Sequence, residues 1–446
     1  MTPELPPPPA SGDEIDFSVL VAEHNQSTVA QSAESSEAGS TSRWWRIGYP
    51  VLVGLVLVVV PFLVFAGLRV ILDSSDGKLV KRVTDPAAPG YEAVVEKTPT
   101  AMAAVVAADG SLDSVVVFAL TSDTSGGVLL IPGSLGVETT FGLFPLTTLW
   151  KLGELDPVAT EVGKTLNLSF TESFVIAASD WATLVGPYAP ITLSTLDAVR
   201  DAKDAIVFPK GSVSLKPDQV ATFLTSRSSK DSDLNRLVRQ ELFWKAWLQK
   251  VKSSASPFPT PTTSGIGRYI AAVARGQLSV SELPVVLGPI ALPALGGSQT
   301  YIVQQSAALA SVAAIVPFPD GAPGRRPRMR VLDGTGKLSN GITAAIMLNA
   351  AGGQVDVVGN AKSYGQLRTQ IIYFEGTTGA QATTMQSALT MGEIVASKQS
   401  NSGADMTVVL GEDFVAKFGP SSGGGGGGST SSTTTTLAST TTTARK

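Results

Sequence analysis

Hydrophobic and polar residues follow three regimes along the chain. Residues 1–46 show no apolar period and are rich in Pro, Ser, Ala and Glu, which predicts a disordered tail. The segment 47–68 (IGYPVLVGLVLVVVPFLVFAGL) then runs for 22 residues without a charge, the length a helix needs to cross hydrocarbon. Trp44, Trp45 and Tyr49 stand at its start, where interfacial aromatics belong. It is too long and begins too late for a signal-peptide core. A single transmembrane helix over 47–69 is predicted, with the N-terminus cytoplasmic and the large remainder extracytoplasmic. Residues 70–100, with Ser74-Ser75, Pro86 and Pro89-Gly90, read as a stalk.

Apolar β-type runs follow at 102–107, 114–120 and 127–131, the first two separated by the turn signal Asp109-Gly110. Helical patterns are predicted over 146–152, 157–166, 215–225 and 233–253, a strand over 173–178 and a helical turn over 180–186. Residues 267–315 read as mostly helical or irregular. Mixed strands and helices over 101–316 predict one α/β (α+β) domain. A Pro- and Arg-containing linker at 317–327 precedes a compact pattern over 328–418. There, strands at 329–332, 355–358, 370–374 and 406–410 alternate with helices at 341–351 and 380–392. The order β-α-β-β-α-β predicts a split, ferredoxin-like small domain. The end from 419 to 446, with six consecutive glycines and then Ser and Thr, reads as a flexible tail.

Composition narrows the chemistry. There is no cysteine, and the one histidine, His24, lies in the polar tail. Thiolate metal sites, cysteine nucleophiles and Ser-His-Asp catalysis are therefore excluded from the folded part. A net charge of −4 argues against a nucleic-acid partner. Reactive groups must come from Asp, Glu, Lys, Arg, Ser, Thr or Tyr.

The predicted helix 233–253 has two stripes. Leu237, Trp244, Leu248 and Val251 form one; Arg236, Arg239, Phe243 and Trp247 form the other. The second stripe suits a phosphate head with an apolar tail beside it, or else paired cations above ordinary core aromatics. Asp231-Ser232-Asp233 offers carboxylate oxygens to Mg²⁺ or caps the helix. Asp113 opens a strand, as a turn residue or as part of a site. Gly334-Thr335-Gly336 follows a strand, but Ser339 replaces the third glycine and no long βαβ unit follows, so a dinucleotide loop is rejected. Arg325, Arg326, Arg328 and Arg330 form a basic run that reads as a solvated loop or a contact to anionic polymer.

Three stretches together carry a family resemblance. The first is Leu112-Asp113-Ser114-Val115-Val116-Val117, followed by Val128-Leu129-Leu130-Ile131-Pro132. The second runs from Gly211 to Glu241 (GSVSLKPDQVATFLTSRSSKDSDLNRLVRQE). The third opens with Val331-Leu332-Asp333-Gly334-Thr335-Gly336 and closes with Ala404-Asp405-Met406-Thr407-Val408-Val409-Leu410-Gly411. The chain thus resembles the LytR-CpsA-Psr family with its usual LytR_C-type C-terminal companion. The resemblance implies an envelope protein of a Gram-positive, actinobacterial type. It would bind a polyprenyl-pyrophosphate-linked glycan and transfer it to peptidoglycan. It also assigns roles: Arg227, Arg236, Arg239 and Gln240 to the phosphates, and Asp113 and Asp233 to Mg²⁺ or the acceptor hydroxyl; the second stripe of helix 233–253 adds Phe243 and Trp247 as the expected lipid pocket.

The chain also departs from the family pattern. Ile-Pro-Arg-Asp is Ile131-Pro132-Gly133-Ser134, and the first arginine of an Arg-x-Arg pair is Thr225. Bidentate arginine is the usual clamp for pyrophosphate, and each lost donor removes about 1.5–3 kcal/mol of charge-assisted bonding. A second reading therefore stands beside transfer: a catalytically degenerate envelope scaffold or regulator that keeps the fold.

Overall fold

The computed structural model describes residues 83–291, 297–374, 379–398 and 403–419, all within the unit running from Lys81 to Lys446. The expected tail 1–46, membrane run 47–69 and tail 420–446 lie outside the described residues. Among the described residues no helix is long and apolar enough to cross a membrane.

In chain order the first part holds β1 (Glu92–Val94), β2 (Thr100–Val106), β3 (Leu112–Ser122), β4 (Ser125–Pro132), the hairpin β5 (Gly136–Thr139) and β6 (Gly142–Pro145), α1 (Leu146–Gly153), α2 (Leu155–Leu166), β7 (Glu172–Ile176) and α3 (Asp180–Val185). Next come β8 (Ile191–Thr195), β9 (Val199–Arg200), β10 (Ile206–Phe208), β11 (Gly211–Leu215), α4 (Val220–Thr225), α5 (Asp233–Ser253), α6 (Gly265–Arg275), β12 (Ser279–Glu282), β13 (Val285–Ala291), β14 (Ser298–Val303) and α7 (Gln305–Ile315). The C-terminal part holds β15 (Arg328–Asp333), α8 (Leu338–Ala350), β16 (Gln354–Asn360), β17 (Gln370–Tyr373), α9 (Gly379–Leu389), β18 (Glu393–Ala396), β19 (Met406–Leu410) and α10 (Glu412–Phe418).

The first domain is built on a five-stranded sheet in the order β12-β4-β3-β2-β7. Its middle strands read as continuous apolar runs because helices cover both faces. Val116, Phe118 and Leu120 face a core shared with α3, α4, α5 and α6, while Val115, Val117 and Ala119 face one shared with α1, α2 and α7. The Asp109-Gly110 signal holds: Ser111 donates its N–H to Asp109, and Gly110 takes φ +79°, open to glycine at no steric cost. The stretch 267–315, expected to be mostly helical or irregular, also supplies three strands, with β12 closing the sheet edge against β4.

The C-terminal domain corrects the split, ferredoxin-like expectation. Its sheet runs β1-β16-β15-β19-β17-β18, and β15 bonds directly and in parallel with both β16 and β19. A split unit would need a strand between β15 and β16. The additional strand β18 begins where a helix to residue 392 was predicted. Thr390 at φ +57° and Gly392 at φ +102° end α9 at Leu389 and release it. The described part of the expected stalk is not free either, since β1 pairs antiparallel with β16 and forms the edge of this sheet. Nor is 317–327 an unstructured linker. Arg326 is buried and donates to the carbonyls of Asn167, Asn349 and Gly353 at 2.8–3.0 Å. Arg330 is buried against Glu92, so the basic run is only partly solvated.

Candidate functional site

The site forms where α5 crosses the starts of β3 and the end of β4. A bulge creates its first element. Val105 pairs with Ser114 while Val106 pairs with Leu112, which leaves Asp113 without a partner on β2. Bulges of this kind re-aim a side chain, and the Asp113 carboxylate meets α5. Ser232 immediately precedes the helix, and its hydroxyl accepts from the Asn235 N–H at 3.2 Å. Ser232 is therefore the cap, and the carboxylate of Asp233 remains for the site.

Arg236 lies between the two acids. Its Nε is 3.1 Å from Asp113 Oδ1 and its Nη2 donates to Asp233 Oδ1 at 2.7 Å. Gln240, one turn on, donates to Asp113 Oδ2 at 2.6 Å and accepts from the Ser114 hydroxyl at 2.8 Å. Ser134 donates both its N–H, at 2.9 Å, and its hydroxyl to Asp233 Oδ2. Arg239 donates to the carbonyls of Leu224 and Ser226 at 3.2 and 2.5 Å, lies 3.7 Å from Asp231 and sits over the Phe223 ring. Burial raises the Asp113 pKa above the ordinary carboxyl range, with Arg236 opposing and Asp233 adding to the rise. Burial lowers that of Arg239, against Asp231 and Asp113.

Five of the residues singled out from sequence thus meet: Asp113, Asp233, Arg236, Arg239 and Gln240. Arg227 does not join them. It is exposed in the loop after α4 and makes no hydrogen bond or ion pair with this cluster among the described residues. Phe243 and Trp247 correct the lipid-pocket expectation. Neither has any accessible surface, so neither lines a hollow wide enough even for water. Their rings stack on each other at 5.8 Å and meet Trp181 at 5.5 and 5.8 Å. Both predicted stripes of α5 are buried, with Val251 partly so, because Trp181 of α3 packs on Phe243 and Trp247. Ser134 and Ser114 were missed as partners. The signal was present in Ser114, which directly follows Asp113, and in Ser134, which stands where the family pattern has an acid.

A divalent cation does not fit this arrangement. Each oxygen of Asp113 and Asp233 already faces a protein donor, and a guanidinium occupies the space between the carboxylates. A hard cation needs free carboxylate oxygens. Among the described residues no group of three or more His, Cys, Asp or Glu side chains is placed to hold a metal. Three guanidinium nitrogens are buried with no hydrogen-bond partner among the described residues: Arg236 Nε, which keeps its ion-pair approach to Asp113, and Arg236 Nη1 and Arg239 Nε, which are the two open donor positions. Buried donors of this kind call for an acceptor.

Residues 326–414 match the family model LytR_C, the LytR cell envelope-related transcriptional attenuator. The match spans the third stretch of sequence resemblance. Among solved structures, the chain is similar to B. subtilis TagV, at 12% identity and a TM-score of 0.39 over 49% of this chain and 95% of that one. It is also similar to B. subtilis TagT, at 18% identity and a TM-score of 0.37 over 51% and 89%. A third is the LytR-CPS2A-psr family protein YwtF (TagT) with bound octaprenyl pyrophosphate lipid, at 16% identity and a TM-score of 0.37 over 52% and 90%. No curated protein matches the chain.

Proposed function

We propose that the chain is a membrane-anchored, extracytoplasmic envelope protein that engages a polyprenyl-pyrophosphate-linked glycan without transferring it. The observation that carries this reading is the clamp on Arg236. Its guanidinium is neutralised between Asp113 and Asp233, and Ser134 closes the far oxygen of Asp233. Counting Asp231, three acids face two arginines, so the cluster has no surplus positive charge with which to pull a pyrophosphate into place. What remains for an anion is the pair of open donors, Arg236 Nη1 and Arg239 Nε. The LytR_C match and the sequence resemblance supply the envelope setting and the ligand class.

The same two donors favour a second reading, an active phosphotransferase. An acceptor hydroxyl on peptidoglycan would attack the glycan-bearing phosphorus and displace polyprenyl phosphate. Asp113 would take the hydroxyl proton, since burial raises its affinity for one.

Full-length protein in detergent, given a fluorescent polyprenyl-pyrophosphate saccharide and peptidoglycan fragments, separates the readings. Binding that weakens in Arg239→Gln, with no release of polyprenyl phosphate, is the expected result. Sustained release would establish the transferase, and absence of binding would end both.

A further inference from the structure

The two-stranded hairpin of β13 and β14, whose strands pair only with each other in their sheet, exposes several large aliphatic side chains. Leu287 is 66% exposed, Ile290 56%, Val286 38% and Ile302 37%. Val286 and Ile302 are direct cross-strand partners, and Leu287 and Ile290 lie opposite Tyr301 and Gln299. A monomer surface rarely gathers large aliphatic side chains on one element without a partner.

Charge identifies the partner. From residue 283 to 319 there are 37 consecutive residues without Asp, Glu, Lys, Arg or His. Protein interfaces keep a polar rim around an apolar centre. A surface that enters lipid excludes charge throughout, since every ion carried into hydrocarbon costs several kcal/mol. The same chain carries the uncharged apolar run 47–68, only 14 residues before the first described residue. A fully extended segment of that length reaches about 50 Å.

The hairpin is also fixed to the candidate site. The Tyr301 N–H donates to the Ser134 carbonyl at 3.1 Å, and Leu135 bridges to Tyr301. Leu287 therefore lies directly across the strand pair from the residue bonded to Ser134, and Gln299 lies two residues, about 7 Å, along β14.

We propose that the β13–β14 hairpin is a membrane-contact element that seats Leu287 and Ile290, which share one face of the strand pair, in the lipid surface and so holds the Ser134–Asp233–Arg236 cluster at the depth of lipid headgroups. The inference stands on exposure and composition, independently of whether a glycan is bound or transferred.

The absence of cysteine makes the test direct. A Leu287→Cys chain is labelled with an environment-sensitive fluorophore and placed, full length, in vesicles of phosphatidylethanolamine and phosphatidylglycerol. The exposed Lys203→Cys position serves as the control. The expected result at 287 is a blue-shifted emission, quenched by doxyl-labelled lipid and shielded from aqueous iodide. The control should behave in the opposite way, and adding Ile290→Asp should remove the shift at 287. Iodide access equal to the control would overturn the proposal. So would shielding from iodide without doxyl quenching, growing with protein density, because that outcome assigns the hairpin to a second copy of the chain.

Discussion

Gly133 stands where the family pattern places an arginine, and its surroundings fix it as glycine. A Cβ built there would lie 2.6 Å from the carbonyl oxygen of Asp113 and 3.3 Å from that of Leu112. Both are backbone atoms of the bulge that aims Asp113, so they cannot yield without moving the site. Gly133→Arg should therefore fail to restore a phosphate clamp and should lower stability by about 1–3 kcal/mol, the usual range for overpacking, as read from urea unfolding. Outside the site, Glu282 has a buried Oε1 with no hydrogen-bond partner among the described residues, and burial, then Glu241, raises its pKa. Ionising it costs the folded state. Its stabilising contribution is complete below the ordinary carboxyl range and is lost as pH rises through the raised value. Glu282→Gln should melt above the parent near neutral pH, and the difference should vanish towards acid pH in a melting series.

The helix α5 was legible from sequence over its full span, because seven-, four- and three-residue steps of large apolar residues allow no other element. The partner of its second face was not legible. Trp181 sits in a six-residue helix about 50 positions upstream, and no periodicity connects the two. The rings of Trp181, Phe243, Trp244 and Trp247 meet at 5.2–6.4 Å and close the space. Trp247→Ala should cost about 3–5 kcal/mol, as expected for deleting a fully packed ring, whereas a ring lining an open tunnel would cost far less. The ends of β15 and β16 carry a comparable lesson. Asp333 Oδ1 accepts from Thr335 N, Thr335 Oγ1 and Gly336 N at 2.6–3.0 Å, an Asx turn the Asp-Gly-Thr-Gly run announces. Its Oδ2 has no donor among the described residues, and neither does Oδ1 of Asn360, its partner in register. Asp333→Asn keeps the turn and replaces one of the two unsatisfied acceptors with a donor. It should raise the melting temperature, consistent with about 1 kcal/mol for a newly satisfied pair.

Across the whole molecule, strand and helix content could be read locally, but the pairing that joins the two domains could not. β1 reads as three residues of a Pro- and Gly-punctuated stalk, and only the register Glu92–Gly359 across more than 260 positions makes it a sheet edge. Arg326 likewise lies in what reads as a basic linker. Its burial shows only when Asn167, at the end of α2, Asn349, in the last turn of α8, and Gly353, after it, present three carbonyls to one guanidinium. Burial lowers its pKa to about 10, which leaves it charged at neutral pH, so the three bonds remain charge-assisted. Because the carbonyls come from both domains, this one side chain couples their unfolding. Arg326→Ala leaves three acceptors without their donor, at roughly 1–3 kcal/mol for each that water does not reach. A calorimetric scan of the parent should show one cooperative transition, and Arg326→Ala should split it into two. Arg326→Lys should split it as well, since a single ammonium on a flexible stem cannot reproduce the planar fork that reaches all three carbonyls. One undivided transition in both variants would place the coupling in β1 instead.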